Sequence, residues 1–225
     1  MSKRLLLAAA MAALMLAPSI AGAVPIAIGG TGALGSFSGT FDYTATDDTT
    51  GTVSIVLNND SLTAGFLTAF LFNIPTGADV SAALLTASDT DFVLLGDDNS
   101  FDNGESGAPF GQFDIGATTG NSFEGGGSPA LGIPQGGGGT FTFTLTGTGL
   151  AALTAQDFLS TLSVGPGAGS GVEEFVVRFR GFPDNGSDKV PNQGGETPVP
   201  EPGTMTLLGL GVASLVARRR ARAQK

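Results

Sequence analysis

The clearest pattern along the middle of the chain is an alternation of apolar and polar residues with a period of two. In the stretch 140–146 (TFTFTLT), three apolar residues alternate with four threonines. Residues 37–43, 53–57 and 175–180 follow the same pattern, with single exceptions. Successive side chains of a β-strand point to opposite faces, so each stretch predicts a strand with one apolar and one mainly polar face.

Other segments complete this prediction. Residues 65–74 and 92–95 are more continuously apolar, which is typical of central strands that are covered on both faces. Residues 110–115 predict one more short strand. A helix is predicted within 150–162, where Thr154 is a suitable N-cap and apolar residues follow at helical spacing.

Glycine separates these segments and decides the fold class. The chain has 36 glycines, and each would cost a helix about 1 kcal/mol relative to alanine. Short alternating strands joined by Gly, Asn and Asp turns predict an all-β fold, either an antiparallel β-sandwich or a jelly roll with Gly-rich loops. We expect this domain to span 24–182. Residues 183–198 are rich in Pro, Gly, Asp and Asn, and predict a flexible linker.

The composition excludes several kinds of chemistry. The chain has no cysteine, no histidine and no tryptophan, so it has no Ser-His-Asp or Cys-His arrangement, no thiolate metal site and no disulfide. Between Asp42 and Glu201 it carries twenty acidic residues against three basic ones, a net charge of −17. A field of that sign repels nucleic acid, so we expect no nucleic-acid partner.

The N-terminus has the order of a secretory signal. Two basic residues precede an uncharged apolar run, 5–16, and Ala21 and Ala23 place small residues where a signal peptidase reads them. As a helix the run rises about 18 Å, too short to span a ~30 Å hydrocarbon core. We predict a Sec-type signal helix over 1–23, cleaved after Ala23.

The C-terminus contains a second ordered signal. Pro200, Glu201 and Pro202 lie in a stiff, extended stretch, and the uncharged apolar segment 204–217 follows them. The cluster 218–222 then contains four arginines, which hold the end of such a segment on the cytoplasmic side of a membrane. The segment predicts a hydrophobic transmembrane helix, and at about 21 Å it is a marginal permanent anchor.

Together these three elements resemble the PEP-CTERM sorting tail, here residues 199–225. The resemblance implies recognition of Pro200, Glu201 and Pro202 by an exosortase, a membrane-embedded cysteine transpeptidase, and removal of the tail. It also implies an inner-membrane intermediate, delivery to the cell surface or extracellular matrix, and a Gram-negative host that makes exopolysaccharide or biofilm. A plain single-pass anchor is the alternative.

Two groups of residues in the middle are candidates for binding. Asp97, Asp98, Asp102 and Glu105 offer the oxygen ligands that calcium prefers, although their spacing is not that of an EF-hand and ordinary turn chemistry explains them too. Arg178 and Arg180 share one face of a predicted strand. They could grip a carboxylate or an acidic sugar, but we favour pairing with neighbouring Asp and Glu residues.

From these observations we expect an exported, non-catalytic protein with a structural or adhesive role in the cell surface or matrix. Its partners would be signal peptidase and exosortase during export, and exopolysaccharide afterwards. The alternative is a carbohydrate-binding module, with or without calcium, although one tyrosine and no tryptophan leave little for stacking on sugars. A hydrolase that uses carboxylates alone is a remote alternative.

Overall fold

A computed structural model describes residues 24–96 and 101–194 of the chain. In chain order the described strands are β1 (Ile26–Thr31), β2 (Ser36–Ala45), β3 (Thr50–Asn59), β4 (Phe66–Phe72), β5 (Asp79–Ala87), β6 (Val93–Leu95), β7 (Glu105–Ser106), β8 (Gln112–Phe113), β9 (Ile115–Thr118), β10 (Ile133–Pro134), β11 (Gly138–Thr148), β12 (Phe175–Arg180) and β13 (Ser187–Pro191). The short helix α1 spans Ala155–Phe158, and three 3₁₀ turns span Pro129–Leu131, Leu150–Ala152 and Pro183–Asn185.

The strands form two large sheets. One has five strands in the order β1-β2-β3-β11-β5, and the other has the order β13-β12-β4-β9-β6 with β10 beside β4. β7 and β8 form a separate small ribbon. Every strand pairing in the described part of the chain is antiparallel, which confirms the prediction of an all-β fold built from antiparallel sheets.

The inner faces of the two large sheets share one apolar core. Phe141 and Phe143 of β11 are fully buried, as their alternation with threonine predicts. Across the core, the ring centroids of Phe141 and Phe70 lie 4.7 Å apart, and those of Phe143 and Phe72 lie 5.2 Å apart. These edge-to-face contacts hold the five-stranded sheet against the six-stranded one.

The central strand β4 is buried on both faces, in agreement with its continuous apolar sequence. Its inner residues join the main core, and its outer residues Ala69 and Leu71 belong to a second, smaller cluster. The other members of that cluster are Leu95, Phe110, Phe113, Phe123 and Val176. Segments after β6 and after β9 therefore cover part of the outer face of the six-stranded sheet, and the rest of that face includes polar residues of β12 and β13.

The predicted helix within 150–162 is much shorter than expected. Thr154 is the N-cap residue of α1, and its N–H and its hydroxyl both donate to the Asp157 carboxylate at 2.7 Å. The chain leaves the helix soon afterwards because Val164 forms backbone hydrogen bonds with Gln112 of β8. Tertiary pairing thus ends the helix where local sequence would continue it.

The predicted linker is wrong at its start, because residues 187–191 form β13. This strand pairs with β12, and its Val190 is fully buried in the main core. The Asp188 carboxylate accepts a hydrogen bond from the Gly35 N–H at 3.0 Å, and the Gln193 N–H donates to the Gly29 carbonyl at 2.8 Å. The domain therefore extends about ten residues beyond the predicted boundary at 182.

Both predicted terminal helices, the signal helix and the hydrophobic C-terminal helix, lie outside the described residues. Within 24–96 and 101–194, no helix has the length and apolar character that crossing a bilayer requires.

Candidate functional site

All three basic residues of the middle of the chain lie together on the outer face of the six-stranded sheet. Arg178 and Arg180 belong to β12, where the intervening Phe179 points into the core. Lys189 lies on β13 directly opposite Arg178 in the strand register. Because paired residues of neighbouring strands project from the same face, the sheet brings the three cations into one cluster, which we call the basic cluster.

One carboxylate joins the basic cluster. Glu124 forms a salt bridge with the Arg178 guanidinium at 3.4 Å and a second, shorter one with the Lys189 ammonium. Lys189 also donates to the Ala108 carbonyl, and its nitrogen lies 5.7 Å from the centroid of the Phe123 ring. The expectation that Arg178 pairs with a neighbouring acidic residue is therefore confirmed.

Arg180 differs from Arg178 in its partner. Its guanidinium donates to the carbonyl oxygen of Gly126 at 2.9 Å. That carbonyl is presented by Gly125, Gly126 and Gly127, which have φ values of 139°, 118° and 67°. Residues with a Cβ rarely adopt such backbone conformations, so the glycine run allows this loop to fold over the sheet.

The basic cluster lines two adjoining clefts of about 500 and 290 Å³. Arg178 and Ser187 line both clefts, and we call the two clefts together the basic trough. Burial lowers the pKa of Arg178, Glu124 acts in the opposite direction, and Arg180 lowers it further. Its Nε is buried and has no hydrogen-bond partner within the described part of the chain.

This arrangement suits the recognition of anions. A planar guanidinium beside an ammonium can hold a carboxylate through charge-assisted hydrogen bonds, which are about twice as strong as neutral ones. The Glu124 carboxylate already occupies such a position. Neither Glu124 nor Lys189 was singled out as a site residue from the sequence, because only the β12–β13 pairing and the glycine loop bring them to Arg178.

The structure describes two of the four calcium candidates and does not join them into a site. Asp102 is exposed, and its Oδ1 accepts a hydrogen bond from the Asn103 amide at 3.1 Å. Glu105 lies in β7, opposite Phe113 of β8. Asp97 and Asp98 lie outside the described residues. Among residues 24–96 and 101–194, no group of three acidic side chains is placed to hold a metal ion.

A buried carboxylate that the sequence analysis missed lies near the same loop. Asp114 is 7% exposed, and its two oxygens accept hydrogen bonds from the backbone N–H groups of Ile74 and Asn103, each at 2.7 Å. It lines a cleft of about 440 Å³ together with Asn73. Both oxygens bind backbone donors, so the carboxylate anchors the loop at Asn103 to the segment after β4.

The pH dependence of stability should report on Asp114. Burial raises its pKa above the ordinary 3.8, and the two backbone N–H groups offset only part of this effect. The folded state then keeps a proton that the unfolded state loses as pH rises, so the contribution of this group to stability is present below pH 3.8 and is lost through the raised pKa. We expect the unfolding free energy of wild type relative to that of Asp114→Asn to be lower at about pH 7 than at about pH 4.

Urea unfolding of both proteins at the two pH values measures this difference. Titrations that the two proteins share, including that of Glu173, cancel in the comparison. An unfolding free energy of wild type that rises relative to the variant with increasing pH would show that the folded protein favours the charged carboxylate.

The residues predicted to direct export and processing lie outside the described part of the chain. These are Ala21, Ala23, Pro200, Glu201 and Pro202. For the C-terminal group, comparison with protein families supplies the decisive observation, because the PEP-CTERM protein-sorting motif matches residues 198–220. The chain therefore carries a PEP-CTERM sorting motif. Comparison of the chain with curated proteins and with solved structures gave no match.

The match covers the sorting tail and not the domain that precedes it. The motif implies export to the cell surface by way of the membrane and processing by an exosortase. The motif thus indicates the route that the protein follows, and the domain that precedes it carries the basic trough.

Proposed function

We propose that the mature protein is a non-catalytic component of the cell surface or extracellular matrix, with a structural or adhesive role. The observation that carries this proposal is the sorting motif at 198–220, which begins a few residues after the last described hydrogen bond of the domain, at Gln193. In this reading the two large sheets form a β-sandwich, and the tail delivers that β-sandwich to the surface.

The chemistry of the chain supports a role without catalysis. Its composition supplies neither histidine nor cysteine, the commonest general base and the strongest nucleophile. Its most deeply buried described carboxylate, Asp114, is engaged by two backbone N–H groups, which suits an anchor better than an acid or base.

A second candidate function, a carbohydrate-binding module, is favoured by the basic trough. The polar lining of the larger cleft includes Ser122, Asn185 and Ser187, whose hydroxyl and amide groups suit sugar hydroxyls. A calcium-dependent form of this module would use the loop of Asp102 and Glu105. If oligosaccharide binding persists when a chelator removes calcium, the trough and not that loop is the binding site.

The proposed role predicts a phenotype in the native host. A host strain without this protein is complemented with wild type or with a chain that ends at Thr197. We expect wild type at the cell surface, the truncated chain in the periplasm, and matrix cohesion restored by wild type alone. Surface protease accessibility and matrix rheology measure the two effects. Equal cohesion in the deleted and complemented strains would contradict the proposal.

A further inference from the structure

We propose that the basic trough binds carboxylate groups of an acidic polysaccharide, and that Glu124 occupies the place of one ligand carboxylate in the unliganded protein. This deepens the proposed adhesive function and rests on it.

The cations are fixed, whereas the carboxylate that they hold is exposed. The side chains of Arg178 and Lys189 are 11% and 17% exposed, against 46% for Glu124. Glu124 also precedes the glycine run 125–127, whose backbone has the widest conformational freedom of any residue type. An incoming carboxylate can therefore replace Glu124 on the two cations while the cations stay in place.

The charge balance leaves room for a further anion. The trough contains three cations, and its described carboxylates are those of Glu124 and Asp188. Asp188 is held by the backbone N–H groups of Leu34 and Gly35, at 2.7 and 3.0 Å, and does not cap a guanidinium. Arg180 meets a neutral carbonyl, and the Arg178 Nε has no described partner. Displacement of Glu124 raises the local charge to +2 in a domain that is otherwise strongly acidic.

The shape of the trough favours an extended ligand with repeated charges. Residues two apart on a strand are separated by about 7 Å, and directly paired residues by about 5 Å. The three cations thus lie at intervals along and across the strands, and not around one enclosed point. The two clefts meet at Arg178 and Ser187, so one chain of sugar units could pass from one cleft to the other.

Titration calorimetry on the mature, exported protein tests the proposal, with a hexamer of galacturonate as the probe. We expect saturable binding that weakens as salt rises, because exposed charges are screened. The methyl-esterified hexamer is the matched control, since it keeps the sugar and removes the charge. We expect no binding of the ester.

Three variants assign the binding to the trough. Glu124→Gln removes the internal competitor and should strengthen binding by about three- to tenfold, whereas Arg180→Gln should weaken it by about tenfold. Asp42→Asn removes one negative charge on β2, in the other large sheet, and should leave affinity unchanged. Arg180 has an exposed hydrogen bond to Gly126, so its replacement should leave the fold intact, which the thermal midpoint checks.

Other results would overturn the inference. Equal binding of the ester would show that charge is not read, and equal binding of poly-L-glutamate would show an acidic-peptide site instead. Competition by inorganic sulfate or phosphate at matched ionic strength would indicate a simple anion site. An unchanged affinity of Glu124→Gln would make Glu124 a structural brace. Failure of these titrations leaves the surface phenotype of the truncated chain standing, so the two proposals fail separately.

Discussion

Replacing Phe143 with Asp is expected to unfold the domain. Phe143 is fully buried, and its ring lies 5.2 Å from that of Phe72 and 6.0 Å from that of Phe70, across the core. Truncating a buried Phe costs about 3–5 kcal/mol, and the new carboxylate must also be buried or neutralised. This loss is comparable to the total stability of a typical domain, about 5–15 kcal/mol. Phe141→Asp should have the same effect, since Phe141 contacts Phe70 and Phe92.

Urea unfolding followed by circular dichroism measures the effect. Thr146→Asp is the matched control, because Thr146 lies on the same strand and is exposed. It places the same carboxylate in water, and we expect an unfolding midpoint close to that of wild type. A cooperative transition of Phe143→Asp at the wild-type midpoint would refute the assignment of β11 to the core.

Replacing Pro200, Glu201 and Pro202 with alanine is expected to abolish processing of the tail. The family match places these residues inside the sorting motif, and proline disfavours the helical conformation that would hide a peptide from a processing enzyme. Intact-mass analysis of the surface and membrane fractions measures the result. For wild type we expect a mass that lacks residues 1–23 and everything beyond the Pro200–Pro202 region. The variant should keep its tail through Lys225.

Glu196→Ala serves as the control for this experiment. It removes a carboxylate five residues before Glu201 and outside the match at 198–220, so processing should be normal. If the wild-type protein at the surface retained the arginine cluster, the tail would be an anchor and the exosortase step would be wrong. Mass beyond that of the trimmed chain would identify what the exosortase attaches.

The tertiary structure revised the sequence interpretation mainly at β13. Residues 183–198 contain the Pro, Gly, Asp and Asn that are typical of a linker, and nothing in that composition indicates a strand. Val190 is nevertheless fully buried, since β12 offers an edge on which residues 187–191 can pair. Pairing partners distant in the chain supply this stabilisation, and a local window does not contain them.

The candidate site likewise combines a feature that the sequence predicts with contacts that only the fold provides. The sequence places Arg178 and Arg180 on one face of a strand, because alternation is a local property. Glu124 lies 54 residues before Arg178 in the chain. Ala108, whose carbonyl accepts a hydrogen bond from Lys189, lies 81 residues before that lysine. The contacts of the basic trough depend on loops that cross the outer sheet face, so they follow from the fold as a whole.

The sequence by itself determined the strand pattern of the core, the absence of histidine and cysteine chemistry, and the sorting tail. Each of these features follows from the sequence without any contact between distant segments: a period of two, a composition, or a short contiguous motif. Only the tertiary structure decided where the domain ends, that Asp114 anchors the loop at Asn103, and that three isolated cations form one cluster. Those features arise from contacts between segments far apart in the chain, and their stabilisation appears only when the sheets pack together.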